Sequence, residues 1–167
     1  IAATLDDARP FGSGDALPPL WHWAFFTPEV PTSTLGVDGH PRLPADGPTA
    51  DLPRRMWAGG SVRWKRPLRI DQPAERQTEV GSVEEKAGRS GRLLIVQLRH
   101  SYRQDGAICI DETQDLVYRE PPSAASPAAA PAAEPADAPP VQAARVVRHD
   151  VREPLLLRYS AVTFNAH

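Results

Sequence analysis

Two runs of alternating apolar residues, joined by Gln104-Asp-Gly106, constrain this chain more than any other feature. In residues 92–102, Leu94, Val96, Leu98 and Tyr102 share one parity, and in residues 107–118 Ile108, Ile110, Leu116 and Tyr118 do the same. A period of two puts such residues on one side of a pleated strand. Asp-Gly between the runs is a hairpin signal, because the favoured two-residue turn needs positive φ at both central positions. Residues 57–68 extend the pattern, with Val62, Trp64 and Leu68 alternating against Arg63 and Lys65, and Pro67 places the far end at an edge or terminus. Residues 76–86 read as a weaker, polar strand before the turn Ala87-Gly-Arg-Ser-Gly91. Three or four antiparallel strands in a meander leave one apolar face to be covered, and an upstream helix is the expected cover. The predicted class is α+β.

The flanks are less regular. Residues 1–7 read as the tail of a helix, closed by the breaker cluster from Pro10 to Gly14. Leu17-Pro-Pro-Leu-Trp-His-Trp-Ala-Phe-Phe26 is the densest aromatic segment. In residues 27–53 Pro and Gly recur every few positions, giving a long ligand-covering loop or a short helix with wandering flanks. Residues 121–143 contain 7 Pro and 10 Ala, too little apolar bulk for a core and too much Pro for a helix. Beyond this semi-extended linker Val146, Val147, Val151 and the run Leu155, Leu156, Leu157 suggest a buried strand turning into a new element. The predicted organisation is a domain at 1–120, a linker at 121–143 and, at 144–167, the beginning of a second, truncated domain. Ile at position 1 fits a fragment or a processed chain.

Composition narrows the function classes. A net charge of −2 lacks the strongly basic face of a nucleic-acid binder. No apolar run approaches the roughly 20 residues that span a bilayer, and no basic and apolar leader opens the chain. With Cys109 alone an internal disulfide is impossible, so a reducing, cytoplasmic setting is expected and Cys109 reads as a small core residue. His22, His40, His100 and His149 show no metal-ligand spacing, so no metal is expected. The basic residues are almost all arginine, which suits phosphate and carboxylate recognition but also follows from codon bias in a GC-rich genome. Trp21 and Trp23 read as core or dimer-interface anchors, with substrate walls as the alternative. In Trp57-Ala-Gly-Gly60, Gly59 and Gly60 permit either close approach of a ligand to the backbone or a β-bulge at a sheet bend.

Four segments together carry a resemblance: Leu17-Pro-Pro-Leu-Trp-His-Trp23, Pro53-Arg-Arg-Met-Trp-Ala-Gly-Gly60, Gln114-Asp-Leu-Val-Tyr-Arg119 and Arg158-Tyr-Ser-Ala-Val-Thr-Phe-Asn-Ala-His167. They resemble the MaoC-type double hot-dog hydratases, above all those acting on mesaconyl-C4-CoA, 3-methylfumaryl-CoA and itaconyl-CoA, with the type 2 hydroxyacyl-thioester dehydratase as a relative. The resemblance implies a hot-dog fold, a curved antiparallel sheet wrapped on a central helix and repeated twice. It also implies hydration of the double bond of a short dicarboxylic enoyl-CoA, or the reverse, with coenzyme A as part of the substrate and no cofactor. A homodimer is the implied assembly.

In such families the second half carries the catalytic loop and the first helps to form the acyl-CoA tunnel. Laid on that loop, Val162 and Thr163 match its aliphatic and hydroxyl positions, Phe164 replaces Gly, Asn165 stands in place of Asp and His167 in place of Asn. The loop's own His would fall just beyond. Asn165 and His167 are therefore the catalytic candidates. An amide takes up no proton near neutral pH, so Asn165 would orient water or a His, or serve as a helix N-cap. Backbone N–H groups at a helix N-terminus would steady the developing enolate, and a His would activate water. Arg54, Arg55, Trp57, Gly59 and Gly60 are the substrate-binding candidates, the two arginines toward the phosphates of CoA or simply toward solvent. Little activity is expected of these residues alone. Two other readings stay open: a non-catalytic hot-dog half that binds acyl-CoA or supports a partner subunit, and a dehydratase for acyl-carrier-protein thioesters.

Overall fold

A computed structural model describes residues 1–36, 38–42, 46–88, 91–121 and 150–165. Four strands form one antiparallel sheet: β1 (Arg54–Trp64), β2 (Glu75–Gly88), β3 (Gly91–Gln104) and β4 (Ala107–Arg119), in the order β1-β4-β3-β2. The β3–β4 hairpin turns on Asp105 and Gly106, whose φ values of 50° and 73° are those its Asp-Gly signal calls for. The expected meander holds for β2, β3 and β4. The first strand departs from it, pairing with β4 from Arg54↔Arg119 to Trp64↔Ile110. This puts the two most apolar strands at the centre and leaves β2, with Glu79, Glu84, Glu85 and Lys86, as a charged edge that resists pairing with other chains.

Register assigns the faces. Leu94, Val96, Leu98, His100 and Tyr102 of β3 lie opposite Tyr118, Leu116, Gln114, Glu112 and Ile110 of β4, and all point inward. The outer face carries Arg63, Asp111, Thr113 and Arg99. Register shifts at Trp57/Gly59 in β1 and Val80/Ser82 in β2 mark bulges on both edge strands, which bend and twist the sheet.

Two clusters cover the inner face. At one end Leu52, fully buried, packs on Leu94, Leu116 and Tyr118; at the other Leu68 packs with Tyr102, Cys109 and Ile110, flanked by Leu17, Phe26 and Val62. Cys109 is buried there as a free thiol, in the core role expected of it. The upstream helix is not among the described residues. In its place stands the 3-10 turn Trp21–Ala24, entered from Leu20 in the left-handed conformation (φ 69°) and followed by Pro28, which disfavours helix at the residue before it. The α+β hot-dog arrangement is thus present in reduced form, the sheet wrapping a turn where a full helix was expected. The segment after it contains a second 3-10 turn, Thr32–Thr34, and a bridge from Leu35 to Pro41, and ends by delivering Leu52 to the sheet. Residues 1–7 form successive turns and no α-helix.

The expected strand through Leu155, Leu156 and Leu157 is instead helix α1 (Glu153–Thr163). Periodicity cannot distinguish a short apolar run in a strand from one in a helix. Here Pro154 fits the first turn, where no N–H is needed, and Glu153 complements the positive end of the helix dipole. Phe164 closes the helix in the left-handed conformation (φ 52°), and the Asn165 N–H donates back to the Ser160 carbonyl at 3.1 Å. The run is not buried as expected either: Leu156 and Leu157 are exposed. Of the linker at 121–143 only Pro121 is described. Residues 144–149, with Val146, Val147 and His149, and the candidate His167 lie outside the described residues.

Candidate functional site

Strand parity brings polar groups onto the otherwise apolar inner face. Glu112 is the innermost of them. Its side chain is 7% exposed, and three donors from two elements converge on it. Tyr102 O–H donates to Oε2 at 2.9 Å, His22 Nε2 lies 3.2 Å from the same oxygen, and Trp23 Nε1–H donates to Oε1 at 3.0 Å. Burial pushes the Glu112 carboxyl up, but the bonds from His22, Tyr102 and Trp23 outweigh it and hold the pKa below the ordinary range. Burial, with the Glu112 charge beside it, pushes the Tyr102 phenol up. His22 is fully buried, and its Nδ1 has no partner among the described residues. The Tyr102 ring meets both His22 and Phe26 edge-on, at 4.7 and 5.0 Å between centroids. The network thus fastens the 3-10 turn to the sheet by charge-assisted bonds as well as by packing.

Directly opposite Glu112 in the register stands His100, half-buried. Its Nδ1 lies 2.8 Å from Thr78 Oγ1 on β2, and the Gln114 side chain hydrogen-bonds it from β4. Burial lowers the His100 pKa, Arg76 lowers it further, and Glu112 opposes both. The imidazole is therefore uncharged near neutral pH. Arg76, next inward-facing residue along β2 and paired with Tyr102, can donate to the Tyr102 hydroxyl. Beyond this polar row the face is apolar again: Leu98 is half-buried, Val80 is 64% exposed and Val83 is exposed. A half-open apolar strip bordered by neutral and cationic donors can seat an acyl group with a polar terminus.

The sheet separates the residues predicted for substrate binding. Arg55, Trp57 and Gly60 face inward, opposite Tyr118, Leu116 and Gln114, whereas Arg54 and Gly59 lie on the outer face. Trp57 is 64% exposed at the bulge. A Cβ on Gly60 would collide with the Thr113 carbonyl oxygen, so this glycine is needed for the approach of β4; a Cβ on Gly59 would meet nothing. The bulge reading of Gly59-Gly60 accounts for both. Asn165 follows a helix and not the strand anticipated for it. Trp21 is a buried core residue with the Phe11 ring tilted against it, and Trp23 a donor to Glu112. Among the described residues no group of His, Cys, Asp and Glu could hold a metal ion, and no helix is long and apolar enough to cross a membrane.

A groove of about 510 Å³ lies beyond the polar row, between Phe11, Leu17, Pro18, Trp64, Lys65 and Arg66. The Lys65 charge there is already paired with Asp111 at 2.6 Å. The polar row of the inner face is the better-built candidate. Sequence reading passed over it, although one signal was present: His100, Glu112 and Gln114 share the parity of the apolar residues that were assigned to the core.

Fold and site together define an α+β domain with a half-covered apolar strip beside a polar row on its sheet. Residues 20–167 match the family described as hydroxyacyl-thioester dehydratase type 2, and the chain belongs to that family. It is 45% identical, over an alignment of 168 residues that covers 99% of the chain, to the mesaconyl-C(4)-CoA hydratase of Chloroflexus aurantiacus, and it spans 58% of that protein's length. Among solved structures, the ChsH1-ChsH2 complex from Mycobacterium tuberculosis aligns with a TM-score of 0.40 and 12% identity over 43% of each chain.

Proposed function

We propose that this chain is part of a hydratase that adds water to the double bond of a short dicarboxylic enoyl-CoA of the mesaconyl-C4-CoA kind, or removes it. The observation that carries the reading is the 45% identity to a hydratase of that substrate across nearly the whole chain. The strip of Leu98, Val80 and Val83 beside His100, Thr78 and Gln114 supports it, being apolar where a short acyl chain would lie and polar where its terminus would fall. In the reaction the water oxygen bonds to the β-carbon and a proton to the α-carbon. No electrons change hands, so the proposal calls on no redox group, and coenzyme A enters as part of the substrate. Asn165 and His167 are proposed as members of the catalytic loop, Asn165 by hydrogen bonding alone. Arg54 and Arg55 are proposed for the phosphates of CoA, Arg55 from the same face as Trp57 and Gly60. The unit at 1–120 acts as a hot-dog half, residues 144–167 open the next, and the assembly is a cytoplasmic dimer.

The test is turnover by the full-length protein with a panel of enoyl-CoA thioesters, read as loss of the conjugated-thioester absorbance. Mesaconyl-C4-CoA is expected to be hydrated fastest. Absence of turnover with every member would overturn the reading. Turnover only with carrier-protein thioesters would move the substrate class.

A further inference from the structure

A dicarboxylic substrate leaves one carboxylate free, and something must distinguish it from a methyl group. Among the described strands three arginines have inward parity: Arg55, Arg76 and Arg92. Arg92 is engaged by Glu85 and Asp51, at 2.6 and 2.7 Å. Arg55 pairs with Tyr118 at the end of the sheet that Leu52 closes. Arg76 is exposed on the edge strand, makes no ion pair among the described residues and adjoins the polar row.

The geometry points to Arg76 as the site for the free carboxylate of the acyl chain, with Thr78 and His100 as the polar border between it and the apolar strip. This assignment rests on the hydratase reading for its substrate class. The Gln114 bond favours a proton on His100, so the uncharged ring donates to Gln114 and its Nδ1 accepts from the Thr78 hydroxyl at 2.8 Å. Alternate residues of a strand lie about 7 Å apart on one face, so Arg76, Thr78 and Val80 present a cationic fork, a hydroxyl and an apolar surface in that order. A four-carbon diacid thioester matches this sequence of chemistries, its carboxylate at the fork and its chain toward Val80 and Leu98. The negative charge of Glu112 beneath does not compete, since Tyr102, His22 and Trp23 already occupy its oxygens. An arginine suits this role because its two parallel N–H groups grip a carboxylate bidentately.

The experiment is calorimetric binding of succinyl-CoA and butyryl-CoA, which differ by carboxylate against methyl, to the full-length protein and its variants. The wild type is expected to prefer succinyl-CoA by about 10- to 100-fold, the range of a charge-assisted hydrogen bond. Arg76→Gln should abolish that preference, Arg76→Lys should retain part of it, and Thr78→Val should leave most of it. In turnover, the ratio of kcat/KM for mesaconyl-C4-CoA to that for 3-methylcrotonyl-CoA should collapse in Arg76→Gln. No preference in the wild type, an intact preference in Arg76→Gln, or equal loss of both ligands would overturn the site. If no thioester is turned over yet the preference appears and vanishes with Arg76→Gln, the hydratase reading fails and the carboxylate site stands.

Discussion

Glu112 and His100 face each other across neighbouring strands, and one residue is closed where the other is open. Glu112 has both oxygens filled by donors from the 3-10 turn and from β3, and it is buried. His100 bonds to a hydroxyl and an amide, keeps partial exposure and borders an uncovered apolar strip. The difference comes from what lies above each. The aromatic turn reaches Glu112 and stops there, ending at Phe25. The closed residue is therefore expected to govern stability, and the open one to govern recognition.

The strongest way to break this comparison is Glu112→Ala, which strands a buried imidazole, a phenol and an indole N–H. A loss of about 3–5 kcal/mol in denaturant unfolding is expected; a loss under about 1 kcal/mol would show that the closed cluster bears little load. Next comes the glycine pair. Gly60→Ala drives a methyl into the Thr113 carbonyl and should cost about 1–3 kcal/mol, whereas Gly59→Ala should be close to neutral. Equal effects would mean that the bulge is not what fixes Gly60. Tyr102→Phe removes one donor from Glu112 and should cost about 1–2 kcal/mol, with the ring packing retained.

The smallest effect sharpens the contrast through pH. Both groups hold fewer protons folded than unfolded, so their stability contributions are present above the unfolded pKa values and are lost as pH falls. The His100 contribution should decline first, from about pH 6.5 downward, and that of Glu112 below about pH 4.5. His100→Gln should shrink the upper decline in a pH series of unfolding midpoints, to which His40, also lowered by burial, contributes the remainder, and leave the lower one. An unchanged profile would assign the upper decline to another group.

Strand positions were legible because alternation and turn chemistry are local. The Asp-Gly hairpin and the runs of β3 and β4 fall within one or two residues of expectation. What failed was non-local or rested on an ambiguous period. Nothing in β1 states that its partner is β4, and Leu155 to Leu157 suits a strand or a helix until Pro154 is given its weight. The site was half-legible. Trp57 and Gly60 were found on the inner face, but Arg54 was grouped with Arg55 although alternate parity sends it to the other side. His100 was set aside for lack of metal spacing, when its informative property was its place in an apolar parity. Arginine abundance gave no way to choose Arg76; only the pairing of β2 with β3 does so.

The placement of β1 on β4 also bears on how the chain is made. The β3–β4 hairpin closes a two-residue turn and can form as soon as both strands exist, whereas β1 must wait for the last strand of the sheet to be synthesised. During that interval Met56, Trp57, Val62 and Trp64 are an unpaired, aromatic β-segment with no partner in the emerging polypeptide. Arg54, Arg55, Arg63 and Lys65 are set among them, and such charges act as gatekeepers that keep nascent strands from pairing with one another. Part of the cationic character of this strand is thereby explained by its long wait before pairing, independently of any ligand.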